Sequence, residues 1–161
     1  MLTQEKLKEI LHYEPTTGLF TRKITKSNRA VAGSLILNKY NKYMITGIDN
    51  KNYYLHRLAW LYMYGEWPKN EIDHINGIKS DNRIENLRDV TKSINMQNLI
   101  KKTNKNQTNY LGVSFCKKSK KWYSRISLNK KQITIGRFNS PELAYESYLK
   151  VKRELHIGCT I

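Results

Sequence analysis

Nine consecutive polar residues, Lys101 to Asn109, separate two stretches of this chain that follow different hydrophobic patterns. A segment of that composition has no apolar face to bury, so it reads as a linker. The flanking stretches, 1–100 and 110–161, then fold separately, and 161 residues suffice for two small domains. Beyond the linker the alternation is clean at Tyr110 to Phe115, Lys121 to Leu128 and Gln132 to Phe138, with a tight turn at Asn129-Lys130-Lys131. Ser140-Pro141-Glu142 then opens a helix, with the serine as N-cap and proline at the first helical position. Its predicted buried stripe is Leu143, Ala144, Ser147, Tyr148, Val151 and Leu155. The tail is therefore expected to be three antiparallel strands packed on one helix. Val113, Phe115, Trp122, Ser124, Ile126, Ile133 and Ile135 face the helix in this reading. Ser114, Cys116, Tyr123, Arg125, Ser127, Gln132 and Thr134 occupy the other face.

Ahead of the linker the pattern is mixed, giving an α+β class. Thr3 caps a short helix carrying Leu7, Ile10 and Leu11, and Glu14 to Gly18 is a turn. Short strands follow at Leu19-Phe20-Thr21, Ser34 to Leu37 and Tyr43 to Thr46, with a hairpin loop at Gly47 to Asn52. His56 to Tyr64 is a helix ended by Gly65 and Pro68. A strand carrying Asp73-His74, a polar loop, a second strand at Leu87 to Val90 and a helix capped by Thr91 or Ser93 complete the half. That last helix is expected to run past Asn95 and Asn98.

Charge narrows the partner. The formal net charge is +16 and the pI about 9.8, with no Asp or Glu between Val90 and Pro141. Ordinary surfaces mix both signs, so a stretch this long with only cations implies a polyanion, and nucleic acid is the commonest one. The two cysteines, Cys116 and Cys159, are too far apart for a disulfide or zinc framework, which suggests reducing cytoplasm. No secretory leader, membrane-length apolar run or basic amphipathic helix is legible, so no membrane partner is expected.

The chemistry concentrates in Glu71-Ile72-Asp73-His74-Ile75-Asn76-Gly77, followed by Asn82, Asn86 and Asn95. Carboxylate and carboxamide oxygens suit a hard divalent cation, and an adjacent imidazole can take a proton from water near neutral pH. Asn76 and Asn82 read as turn formers. His12 and His156 read as ordinary.

Four stretches in order, Leu55-His56-Arg57-Leu58, Ile72 to Gly77, Asp81 to Leu87 and Thr91 to Met96, make this half resemble the HNH endonucleases of phage and intron homing enzymes. The resemblance implies a β-hairpin with a helix across it and one metal ion between them. It implies that Asp73 and Asn95 hold Mg²⁺ or Mn²⁺, that His74 is the general base, and that Asn86 fixes the histidine loop and orients the imidazole. It also suggests that His56 and Arg57 face the site or the scissile-strand phosphates, although His56 alone could equally be a surface histidine at a helix start.

Tyr110-Leu111-Gly112-Val113, Lys121 to Ile126, Ile135-Gly136-Arg137-Phe138 and Ala144-Tyr145 resemble the plant Apetala-2/ethylene-response-factor DNA-binding domain. That likeness implies that the open sheet face enters the major groove of double-stranded DNA. The expected contacts are Ser114, Tyr123, Arg125, Ser127, Gln132 and Thr134 on that face. Lys117, Lys118, Lys120, Lys121 and Lys131 would lie on phosphates, and Arg125 and Gln132 are the base-reading candidates. The plant family has more arginines and a tryptophan where Ser114, Ser127 and Thr134 stand here. Together the two resemblances imply a free-standing, phage-borne homing nuclease without a small-molecule cofactor, acting in a bacterial cytoplasm. A DNA-binding regulator with a decayed nuclease, and a nuclease acting on RNA, are the alternatives.

Overall fold

The computed structural model describes residues 1–98, 110–129 and 131–160; the expected linker at 101–109 lies outside them. The described chain forms two compact units, Met1–Lys92 and Ser93–Ile161.

The first unit opens with α1 (Gln4–Ile10), capped by the Thr3 hydroxyl, which accepts from Lys6 N–H at 3.3 Å. Leu11 leaves the helix to start β1 (Leu11–Glu14), which pairs antiparallel with β2 (Leu19–Arg22). Alternation buries Leu11, Tyr13 and Phe20 in one core with Leu7. The stretch expected as a strand at 34–37 forms only a single bridge, Thr21 to Leu35. Its side chains still alternate as a strand's do, with Ile36 buried and Leu35 and Leu37 exposed.

β3 (Lys39–Tyr40), β4 (Tyr43–Ile48) and β5 (Lys51–Tyr54) form an antiparallel sheet in that order. The loop expected over 47–52 shrinks to Asp49-Asn50, with Gly47 paired to Asn52. Both turn residues have positive φ, 49° and 60°, the backbone of a two-residue hairpin turn that Asp and Asn tolerate. α2 (Leu55–Tyr64) follows at once and buries Leu55, Leu58, Ala59 and Leu61. Gly65, at φ 77°, closes it in the left-handed conformation. β6 (Glu71–His74) and β7 (Leu87–Val90) pair antiparallel and carry the site, with a 3₁₀ turn at Ile84–Asn86 leading into β7.

In the second unit, β8 (Val113–Cys116), β9 (Lys121–Leu128) and β10 (Lys131–Phe138) form an antiparallel sheet with β9 central. α4 (Pro141–Leu155) packs on it, its N-terminus capped by Ser140 Oγ accepting from Leu143 N–H at 3.3 Å. The buried line on α4 is Ala144, Tyr148 and Lys152, four residues apart, against Val113, Ser124 and Ile126. Leu143 and Leu155, expected in that stripe, are exposed instead: Leu143 sits about 100° to one side of the line, and Leu155, though in line, is the last residue of the helix. Ile133, expected to face the helix, is also exposed, although it pairs with the buried Ile126.

α3 (Lys92–Gln97) falls almost wholly in this second unit, whereas the sequence boundary was drawn at residue 100. Its end meets the chain's C-terminal turn: Gly158 N–H donates to Gln97 Oε1 at 2.9 Å, and Thr160 bonds Asn98. Asn98 lies beyond the helix rather than within it.

Candidate active site and nucleic-acid face

Strand register places Asp73 opposite Arg88 and His74 opposite Leu87. All but Arg88 are buried, so β6 delivers a carboxylate and an imidazole into the interior side by side. Arg88 Nε and Nη2 both donate to Asp73 Oδ2, at 2.9 and 2.7 Å. His74 ends β6, and the chain turns sharply at Gly77, whose N–H donates to the His74 carbonyl at 2.8 Å.

The loop after His74 is tied by amides. Asn86 Oδ1 accepts from Asn76 N–H at 2.9 Å, and its Nδ2 donates to the Asp81 carbonyl at 2.8 Å. Asn76 Nδ2 donates to Asp81 Oδ2 at 2.7 Å. Arg83 grips the same carboxylate and, with the loop amides, holds its pKa down to about 2. Asn86 thus staples the histidine loop at both ends. The imidazole itself meets another residue: His74 Nε2 lies 3.3 Å from Oδ1 of Asn82, which is 2% exposed. An amide oxygen only accepts, so this contact puts the ring proton on Nε2 and makes Nδ1 the basic nitrogen of the neutral ring.

Asn82 was read as a turn former, and nothing in its local sequence shows its target. The N-terminal hairpin brings it there. Tyr13 OH donates to the Asn82 carbonyl at 2.7 Å, and Ile84 N–H donates to the Pro15 carbonyl at 3.2 Å. Gly18, at φ 73°, lies so close that a Cβ would come within 2.5 Å of Arg83 N and 2.6 Å of Asn82 C.

His56, from the first turn of α2, is buried beside His74 with ring centroids 5.1 Å apart and planes near perpendicular. It stacks on Tyr54 at 5.4 Å, and Tyr43 touches both imidazoles, at 5.2 and 6.0 Å. Burial first, then the neighbouring His74 and Arg57, push the His56 pKa down to about 3. Its Nδ1 has no hydrogen-bond partner among the described residues. Burial likewise lowers the His74 pKa, partly offset by the Asn82 contact and the nearby Asp73 and Asp81 carboxylates. Both rings are therefore neutral at physiological pH. Arg57 donates to the Asn70 and Pro68 carbonyls and lies over Trp67. Asn95 sits half-buried on α3, within the second unit.

A metal ion at Asp73 would meet a buried carboxylate, and hard oxygen donors suit Mg²⁺ or Mn²⁺. Among the described residues no group of three or more His, Cys, Asp or Glu side chains is arranged to hold a metal. A site here would depend on one carboxylate, an amide, water and substrate oxygens.

On the C-terminal sheet, register places Ser114 beside Tyr123, Arg125 beside Thr134, and Ser127 beside Gln132 on the face away from α4. A bulge between Thr134 and Gly136 shifts β10 by one residue, so Arg137 pairs with Tyr123 and joins that face. Tyr123 carries two guanidinium groups, Arg125 at 5.1 Å and Arg137 at 5.2 Å. Strict alternation hides this role for Arg137. Lys117, Lys118, Lys120, Lys121 and Lys131 are all exposed, the first three in the β8–β9 turn. Lys121 also bonds Asn139.

A family model described as HNH endonuclease matches residues 53–97. No match was found among curated proteins or among solved structures. The matched segment spans β6, β7 and every residue of the imidazole cluster except Tyr43. No helix among the described residues is long and apolar enough to cross a membrane.

Proposed function

We propose that this chain is a homing-type, metal-dependent endonuclease of double-stranded DNA, with His74 as general base. The observation that carries the reading is the buried, neutral His74 imidazole, clamped through Nε2 by Asn82 within the segment that matches HNH endonucleases. Such a base is available across neutral pH and is held in one orientation, which proton transfer requires.

Asp73 and Asn95 would hold one divalent ion, Mg²⁺ or Mn²⁺, which supplies electrostatic stabilisation of the charge that builds on the phosphate and the leaving 3′ oxygen. His74 Nδ1 takes a proton from water as the oxygen attacks phosphorus. Asn86 keeps the loop that presents the ring, and His56 and Tyr43 pack against it. The neutral His56 adds no cation beside the base, so it helps keep the His74 lone pair unprotonated. The open sheet face of the second unit, with Tyr123, Arg125 and Arg137, would grip the duplex, and the acid-free lysines would lie on phosphates. One such site cuts one strand, so the product of a single turnover is a nick.

Plasmid cleavage with Mg²⁺, with excess EDTA, and with His74→Ala tests this reading. Cleavage should vanish in chelator, and His74→Ala should lose roughly 10²–10⁴-fold in rate while duplex affinity holds. Undiminished cutting by the variant removes His74 from the mechanism.

A further inference from the structure

We propose that Arg88 is the exchangeable counter-cation of Asp73, holding the carboxylate in the metal-free protein and competing with an incoming divalent ion for it. The inference rests on Asp73 being a metal ligand, as in the proposed function, and adds a residue that competes for the same carboxylate.

Cross-strand pairing fixes the two residues opposite each other on β6 and β7, so their meeting is set by the ribbon. The guanidinium directs two N–H groups, at 2.9 and 2.7 Å, onto Oδ2. A hard divalent ion binds oxygen at about 2.1 Å. An ion on this carboxylate therefore comes within a few ångströms of the guanidinium, and the two positive charges disfavour one another. The Asp73 side chain is 7% exposed, whereas the Arg88 side chain is 24% exposed and so is the more solvated partner of the pair.

The other arginines of this region are engaged elsewhere: Arg57 on the Asn70 and Pro68 carbonyls, and Arg83 on Asp81 and Glu85. Arg88 is thus the guanidinium built onto this carboxylate. A buried carboxylate stripped of its counter-charge is strongly destabilising. Arg88 therefore stabilises the metal-free fold and weakens metal binding through one contact. A polyanion that draws the freed guanidinium away would favour metal entry, so loading would be coupled to substrate.

The test is Mn²⁺ binding to the full chain without nucleic acid, followed by the electron paramagnetic resonance signal of free Mn²⁺, alongside thermal unfolding. Asp73→Asn should lose the site. Arg88→Met should bind Mn²⁺ roughly tenfold or more tightly than wild type, as expected for removing a cation within a few ångströms. Its metal-free melting temperature should fall and be raised by Mn²⁺ more than that of wild type. Should Arg88→Met fail to fold, Arg88→Lys offers a single ammonium in place of two guanidinium donors, and should bind Mn²⁺ more tightly by a smaller factor. Equal or weaker Mn²⁺ binding by the folded arginine variant, with the site lost in Asp73→Asn, overturns the exchange and makes Arg88 a brace for the carboxylate. Wild-type binding by Asp73→Asn instead overturns the metal-site reading itself, and the exchange with it.

Discussion

Asn82→Ala isolates the clamp on the proposed general base. The contact it removes is long, 3.3 Å from His74 Nε2, so its direct net worth is about 1 kcal/mol. The larger effect is what remains. His74 is 5% exposed, and without the amide oxygen its ring N–H faces no acceptor at that position, a cost of about 1–3 kcal/mol. The ring escapes that cost by turning, which takes Nδ1 out of line. If the whole cost reaches the barrier, the rate falls roughly 5- to 150-fold. The Tyr13 bond goes to the Asn82 main chain and survives the substitution, so the loop keeps its buttress. Single-turnover nicking against pH is the assay. The wild-type rate should climb with pH to a plateau through a His74 pKa below the ordinary value of 6.5. The Asn82 contact raises that pKa, so Asn82→Ala should move the acid limb lower still while dropping the plateau. Asn82→Asp, which adds a negative charge, should move it higher. A wild-type plateau and an unmoved limb in Asn82→Ala would refute the idea that His74 is held through Nε2.

Both imidazoles of the cluster have lowered folded-state pKa values, so between about 3 and 6.5 the unfolded chain binds more protons than the native one. Stability should be full above about pH 6.5 and decline as pH falls toward the folded pKa, by up to ~1.4 kcal/mol per unit per histidine. His56→Phe should flatten urea-midpoint profiles by about one proton's slope, and an unchanged slope would mean that His56 is already solvated. On the sheet, Arg125→Ala and Arg137→Ala should each cost roughly 1–3 kcal/mol on a preferred duplex and less on random sequence; equal losses on both duplexes would make this face an anchor without base reading. Lys118→Ala should weaken all duplexes alike and lower the salt slope by about 1, as read by affinity titrations across salt.

Features encoded by neighbouring residues were legible before the fold was known. Gly65 stops α2, Ser140 and Pro141 start α4, and Asp73-His74 falls on a strand as its sequence suggests, because each depends on local backbone chemistry. What escaped depends on closure between distant segments. Asn82 looks like any turn asparagine until residues 13–18 press its loop onto His74. Arg137 looks inward-facing until a bulge shifts β10 by one residue. On α4 the buried line runs through Lys152, whose long apolar stem fills a place that hydropathy assigns to leucine. Arg88 gave no signal either, since its register opposite Asp73 exists only once β6 and β7 pair.

The dependence of Asn82 on the N-terminal hairpin sets the smallest piece of this protein that can be moved between chains. Residues 53–97 look like a portable cassette, but the loop that holds His74 is braced by a tyrosine 69 positions upstream of Asn82 and by a glycine that admits no side chain. A graft beginning at residue 53 would leave that loop unsupported, whereas one beginning ahead of α1 would carry its own scaffold. A chimaera that joins this site to another tail should therefore be cut after the β6–β7 ribbon rather than before it, because the N-terminal hairpin and the ribbon form one structural unit.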